Sequence, residues 1–226
     1  MNLEGLRILG YPELFSKKYF DEGIDEIIFQ DVVASLYKRN QLSHLTSKIS
    51  ENVFVPITVG GGIRSIKDIK EILVSGADRV SINTGAIHNK KFVEEAIKIF
   101  GTSTICISIE TLKIDDTYKI YTDSGRTEVN KDTFDWIKEV QDMGVGEIIL
   151  TSINNEGAGK GFDINLYEKA SNKTTRFLDL LPTGMPSLTN NPKPIPPAHF
   201  VVSDVVFILF CSARPIIFLF ISTCFS

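Results

Sequence analysis

The sequence predicts an α/β protein in which helices cover a parallel β-sheet, and three observations carry that expectation. Short β-branched apolar runs recur from the N-terminus to about residue 172, segments of helical period separate them, and their spacing is that of one βα unit. The composition of the 226 residues, 43% apolar and 23% charged, fits a folded globular chain. A formal net charge of -4 gives no chain-wide attraction to nucleic acid or to an anionic membrane. Three cysteines without metal-type spacing fit a reducing, cytoplasmic setting and no zinc site. The start of the chain lacks the basic and apolar pattern of a signal peptide, so export is not expected.

The elements follow in order. Pro12–Glu22 reads as a helix, with proline where its missing N–H costs nothing and Gly23 as the stop. Glu26–Asp31 and Val53–Val59 read as strands. Ser65 with Asp68 forms a capping-box-like pair at the start of a helix that places Ile66, Ile69, Ile72 and Leu73 on one face before Gly76. Arg79–Asn83 is a strand. Asn89–Phe100 is a helix with Phe92, Val93, Ala96, Ile97 and Phe100 inward. Thr104–Glu110 is a strand, and the alternation and Ser-Gly turn in KIDDTYKIYTDSGRTEV suggest a β-hairpin inserted after it. Asp132–Met143 is a helix presenting Phe134, Ile137 and Val140, and Glu147–Ser152 is a strand.

A doubly wound sheet and a (β/α)8 barrel both fit this rhythm. An internal echo favours the barrel. DEGIDEIIFQD (Asp21–Asp31) and DMGVGEIILTS (Asp142–Ser152) match 121 positions apart, as two duplicated half-barrels would. The same offset applied to Gly60–Gly62 lands on Leu181–Thr183, where the glycine turn is missing.

Chemistry in a parallel α/β fold gathers at the C-terminal ends of its strands. The strand ends here are Asp31, Gly60-Gly61-Gly62, Asn83-Thr84, Glu110 and Thr151-Ser152. Three glycines after a buried strand leave backbone N–H groups open to close approach by an anion, and a helix N-terminus follows. Asn83 and Thr84 add donors at the next strand end; the alternative is a plain tight turn. Neither loop fits a P-loop or a dinucleotide fingerprint, and no cofactor is expected. Glu110 ends an apolar strand, where desolvation would raise its pKa toward acid–base use, or where it is simply solvated. Glu156 is a second carboxylate that could face it. Ser124 reads as a turn residue. The three histidines have no acidic or cysteine partner nearby in the sequence, and Cys106 reads as core. Glu26, Arg79 and Glu147 sit where strands begin, as solvated rim charges or as a mixed-sign ring closing the bottom of a barrel.

Taken together, NLEGLRILGYPEL, GIDEIIFQDVVAS, PITVGGGIRS, GADRVSINTGA, YTDSGR and GEIILTSINNEGAGKGFD resemble the cyclase subunit of imidazole glycerol phosphate synthase, a histidine-biosynthesis enzyme with a (β/α)8 TIM barrel fold. The resemblance covers about Asn2 to Asn172. It implies an enzyme that takes ammonia from a partner glutaminase, closes an imidazole ring on a phosphorylated small-molecule substrate, and releases an aminoimidazole-carboxamide ribonucleotide. By resemblance Gly61, Gly62, Asn83 and Thr84 would bind a terminal phosphate, and Ser124, Thr151, Ser152 and Glu156 would line the substrate cleft. Glu110 would be catalytic. Glu26, Arg79 and Glu147 would ring the ammonia entrance, with Arg standing where Lys is usual. The departures are specific. Glu110 and Glu156 stand where the family has aspartate, Asn154 replaces another aspartate, and the first strand with its catalytic aspartate and the lysine of its loop has no counterpart. Two further readings accompany this one: a paralogue that uses ammonia to amidate another sugar substrate, and a non-catalytic fragment or glutaminase-docking module.

The resemblance therefore implies an incomplete barrel over residues 1–172, with strands two to six recognisable and the first, seventh and eighth missing or replaced. Residues 173–226 read as a non-homologous, poorly ordered tail. In it, Asn190–Pro197 is a proline-rich connector, and the apolar runs Val205–Ala213 and Ile216–Cys224 are broken by Arg214-Pro215 and are too short to span a bilayer. Five strands alone would leave two exposed sheet edges.

Overall fold

A computed structural model of the chain describes residues 11–31, 42–156, 162–173, 206–211 and 214–221. Helix α1 (Pro12–Asp21) leads into strand β1 (Glu26–Asp31); α2 (Leu42–Ser50) precedes β2 (Ile57–Gly60), and α3 (Ile66–Val74) precedes β3 (Arg79–Ile82). The short α4 (Thr84–His88) and α5 (Lys90–Phe100) follow, then β4 (Ile105–Ile114), β5 (Thr117–Thr122) and β6 (Thr127–Asp132). Helix α6 (Thr133–Asp142), β7 (Glu147–Ser152) and α7 (Ile164–Ser171) complete the alternation, and β8 (Val206–Cys211) and β9 (Arg214–Ile221) come last.

Local chemistry sets these boundaries. Ser65 accepts from the Asp68 N–H while Asp68 accepts from the Ser65 N–H, so α3 starts on a complete capping box. Asn89 caps α5, and Asp132 caps α6 by accepting from the Phe134 and Asp135 N–H groups. The inward faces are those of the periodic apolar residues, with Trp136 of α6 added as one of the largest fully buried side chains. Three helices, α2, α4 and α7, carry no mark in the apolar-run reading. Helix α2 buries only Leu42, Thr46 and Ile49, and α4 is a single turn after Asn83.

The strand order decides between the two architectures. β1, β2, β3, β4 and β7 pair one after another, all parallel. A doubly wound sheet reverses direction at a switch point, whereas a barrel adds each strand beside its predecessor. The order is that of a partial (β/α)8 barrel.

Two departures shape the rest. β4 outruns β3 by several residues, and β5 pairs antiparallel along the length left over, from Glu110 opposite Tyr121 to Ile114 opposite Thr117. On its other side Glu110 lies opposite Thr151 of β7. The β5–β6 hairpin therefore rises beyond the end of β3 and hangs over the strand ends. The second departure concerns the segment after residue 173. Its two apolar runs form the antiparallel hairpin β8–β9, and β9 runs parallel beside β1, with Glu26 opposite Ile216 and Asp31 opposite Ile221. An open strand edge next to β-prone apolar sequence is a pairing template, which accounts for this contact. No helix among the described residues is long and apolar enough to cross a membrane.

Candidate functional site

Period-two alternation sorts the barrel strands into two faces. One carries Ile27 and Phe29 of β1, Ile57 and Val59 of β2, Val80 and Ile82 of β3, Ile105, Ile107 and Ile109 of β4, and Ile148 and Leu150 of β7, and this face packs against the helices. The other carries Glu26, Thr58, Arg79, Cys106 and Glu147 at the strand starts, Ser81 and Ser108 midway, and Asn83, Glu110 and Thr151 at the ends. Four residues of strand separate the two ends, roughly 13 Å at 3.3 Å per residue.

At the C-terminal ends lies an open cleft lined by Asp31, Gly61, Gly62, Arg64, Asn83, Thr84, Gly85, Glu110 and Ser124 among others. Gly61 and Gly62 have φ of 115° and 70°, and a Cβ on Gly61 would lie 2.5 Å from the Asp31 carbonyl oxygen. Only glycine turns the chain here without strain and lets a ligand approach the backbone closely. Thr84 accepts a hydrogen bond from the Asp123 N–H at 3.3 Å, which leaves its own O–H to donate. Asn83 Oδ1 is buried with no partner among the described residues. The Thr84 hydroxyl is thus a donor at the glycine turn, Asn83 Oδ1 is an acceptor, and Arg64 lines the same cleft.

The acids stand beside it. Glu110 accepts from the Gly125 N–H at 2.8 Å and hydrogen-bonds the Asn83 side chain. Burial nevertheless pushes its carboxyl up to about 7, because those two bonds do not offset the lost hydration. Glu156 follows β7 in a turn where its N–H donates to Ser152 O at 2.9 Å. Burial first, then the charge of Glu110, raises Glu156 to about 8, and Glu156 Oε1 has no partner among the described residues. Two interacting carboxyls with raised pKa values titrate as a pair and hold about one proton between them near neutrality.

Thr151 shares the interior face with Glu110. Ser152 does not: alternation turns its side chain to the helix side, where it donates to Asp163 Oδ2 at 3.4 Å beside the Tyr118 hydroxyl. Ser124 is 8% exposed and lines the cleft from the β5–β6 turn. Gln30, Gly85 and the Gly125 amide also reach the site, and no side-chain pattern marks a backbone amide in advance.

At the opposite end Arg79 Nη1 lies 2.7 Å from Glu147 Oε2 and 3.2 Å from Glu26 Oε1. Thr58 Oγ1 donates to Glu26 Oε1 at 3.0 Å, and the Cys106 thiol approaches Glu147 Oε2 at 3.6 Å. Burial raises the Glu26 carboxyl, with Arg79 acting against it and Glu147 with it. Burial likewise pushes the Cys106 thiol well up, consistent with a core residue. Among the described residues no group of three His, Cys, Asp or Glu is placed to hold a metal ion.

Parallel strands added in sequence, with polar chemistry at their C-terminal ends, place the chain in the (β/α)8 barrel class. Within that class it belongs to the histidine biosynthesis protein family, whose model matches residues 2–178. It is 44% identical over 172 residues to the imidazole glycerol phosphate synthase subunit HisF of Legionella pneumophila, covering 76% of this chain and 81% of that protein. It is 41% identical to the HisF subunit of Campylobacter concisus and 42% to that of Thermococcus onnurineus; each match covers 74% of this chain and 66% of the relative, just under two thirds. The role these relatives indicate is the cyclase subunit of that synthase in histidine biosynthesis, and they do not favour a sugar-amidating paralogue. Their names describe subunits, which implies a partner subunit.

Proposed function

We propose that the cleft binds a phosphorylated carboxamide nucleotide and closes its imidazole ring with ammonia, as the cyclase half of an imidazole glycerol phosphate synthase working with a glutaminase partner. One observation carries the reading: the glycine turn and the Thr84 hydroxyl adjoin a pair of carboxyls that burial raises to near neutrality. The cradle amides of Gly61 and Gly62, with Thr84, hold the terminal phosphate and fix the register of the substrate. Ring closure requires a proton to be taken from the attacking nitrogen and one delivered to the departing oxygen. A carboxyl near 7 serves either step at physiological pH. Glu110 does so, and Glu156 sets which of the two carries the shared proton.

Ammonia enters at the other end. Glu26 and Glu147 with the single cation Arg79 carry a net negative charge at the strand starts, which favours ammonium over anions. Beyond them the interior face offers the hydroxyls of Thr58, Ser81 and Ser108, and Ser81 Oγ is buried without a partner among the described residues. A small polar molecule finds hydrogen bonds along that face.

The test is binding and turnover together. The chain should bind the phosphorylated nucleotide in calorimetry and, given ammonium salts, release the carboxamide ribonucleotide with a rate that rises with pH. A folded chain indifferent to phosphorylated ligands would end the proposal. Gly61→Ala should abolish that binding, because the new Cβ meets the Asp31 carbonyl at a φ disfavoured for alanine. It should also lower stability by about 1–3 kcal/mol, read by urea unfolding.

A further inference from the structure

The β5–β6 turn is unusual on three counts. Asp123, Ser124 and Gly125 have φ of 54°, 59° and 75°, three consecutive residues in the left-handed region, two of them with side chains. Such conformations are costly outside glycine and persist only where the surroundings hold them. Secondly, the turn is clamped at its base, since the Arg126 N–H donates to Thr122 O at 3.1 Å. Thirdly, its first and last amides leave the hairpin altogether. The Asp123 N–H goes to Thr84 Oγ1 in the anion cradle, and the Gly125 N–H goes to Glu110 Oε2. Left-handed backbone is what aims two amides two residues apart at two different strand ends.

We propose that the Asp123–Gly125 turn is a positioning element that joins the Thr84 hydroxyl and the Glu110 carboxylate into one rigid unit, so that a change at the anion cradle is felt at the carboxylate. The cradle and the acid belong to different strands, and the turn reaches both through its backbone. It rests on the proposed function only in giving Glu110 a role in the reaction; the mechanical link stands without it. Several described groups face Glu110. Asn83 comes from the end of β3, Thr151 from β7, the Asp123 carboxylate from the turn, and Glu156 from the segment after β7. Tyr121 lies opposite it on β5, with its hydroxyl directed to Glu128. Of these, the Asp123 charge opposes ionisation of Glu110, and among the described residues the Gly125 amide and then Asn83 favour the carboxylate.

The link is tested on the free chain by following the Gly125 amide proton through a pH titration by NMR, with no ligand present. In the parent chain this proton should titrate near neutrality, and Glu110→Gln should remove the transition, which assigns it. Thr84→Val takes away the acceptor of the Asp123 amide, touches no atom of Glu110, and should move the midpoint upward by on the order of one pH unit, the worth of one charge-assisted hydrogen bond. Thr84→Ser, which keeps the acceptor, should restore it. A Thr84→Val chain whose Gly125 midpoint equals the parent's overturns the proposal, whatever the chain does with phosphate or ammonia. A Gly125 amide that does not titrate at all overturns it equally.

Discussion

Replacing Arg79 by methionine should destabilise the chain by about 3 kcal/mol at pH 8, as measured by urea unfolding. One guanidinium nitrogen serves two carboxylates, Glu147 at 2.7 Å and Glu26 at 3.2 Å, and Glu26 is only 8% exposed. Methionine preserves the packing of the stem and deletes the charge, leaving two carboxylates facing each other beside the Cys106 thiol. The loss stays below that of a fully enclosed pair because the side chains of Arg79 and Glu147 remain about a quarter exposed. The sign of the pH dependence follows from Glu26, which is already raised above its ordinary value by burial. A carboxyl whose folded pKa exceeds its unfolded one weakens the fold as pH climbs through that interval, and loss of Arg79 raises it further. The deficit should therefore be larger at pH 8 than at pH 5. A triple variant, Arg79→Met with Glu26→Gln and Glu147→Gln, should recover most of the stability. Equal stability of Arg79→Met and the parent at pH 8 would show that the three charges are separately solvated.

How far these features were legible in the sequence depends on the kind of signal. Helices α3, α5 and α6 announce themselves through Ser65, Asn89 and Asp132, because a cap and a periodic apolar face act within a few residues. Strands β1 and β7 carry the internal echo and fall where it puts them. Helix α2 escapes because its buried face includes Thr46, which reads as polar although its hydroxyl is spent on the Leu42 carbonyl at 2.7 Å. The extension of β4 to Ile114 escapes because β5 supplies its partner, and pairing across a turn cannot be read from one strand. In the site, glycines and acids at strand ends are legible, since their position follows from the order of elements. Ser152 shows the limit: adjacent strand residues face opposite ways, and the register that turned it toward Asp163 is a property of the sheet. The Gly125 amide is legible only as a Ser-Gly turn, because every residue has a backbone N–H and only the fold says where it points.

Glu110→Gln should lower the turnover of ammonia-dependent cyclisation by roughly 10²–10⁴-fold while leaving calorimetric binding of the phosphorylated nucleotide near the parent's. The same substitution should make the chain more stable, and the two effects together separate a working acid from a structural one. In the folded chain the Glu110 carboxyl sits near 7 against 4.5 ordinarily, so the native state holds its proton over a range where the unfolded chain has lost it. Stability contributed by that difference is complete below about pH 4.5 and disappears as pH rises through 7. Glutamine cannot ionise. It removes the cost of a buried charge at pH 8, relieves the repulsion that raises Glu156, and should add about 1–3 kcal/mol there and nothing at pH 4. A glutamate held merely for packing or for its bond to Gly125 would show the reverse, a loss of stability with turnover intact. Glu110→Asp sharpens the distinction. It restores the shorter acid that the family resemblance implies at this point, yet withdraws the carboxylate from the Gly125 N–H, 2.8 Å away in the parent. If the cleft is tuned to the longer side chain, aspartate should lose roughly tenfold to a hundredfold in turnover, the scale of an ångström's misplacement. Aspartate matching or exceeding the parent would mean that Glu110 reaches the substrate without help from the turn.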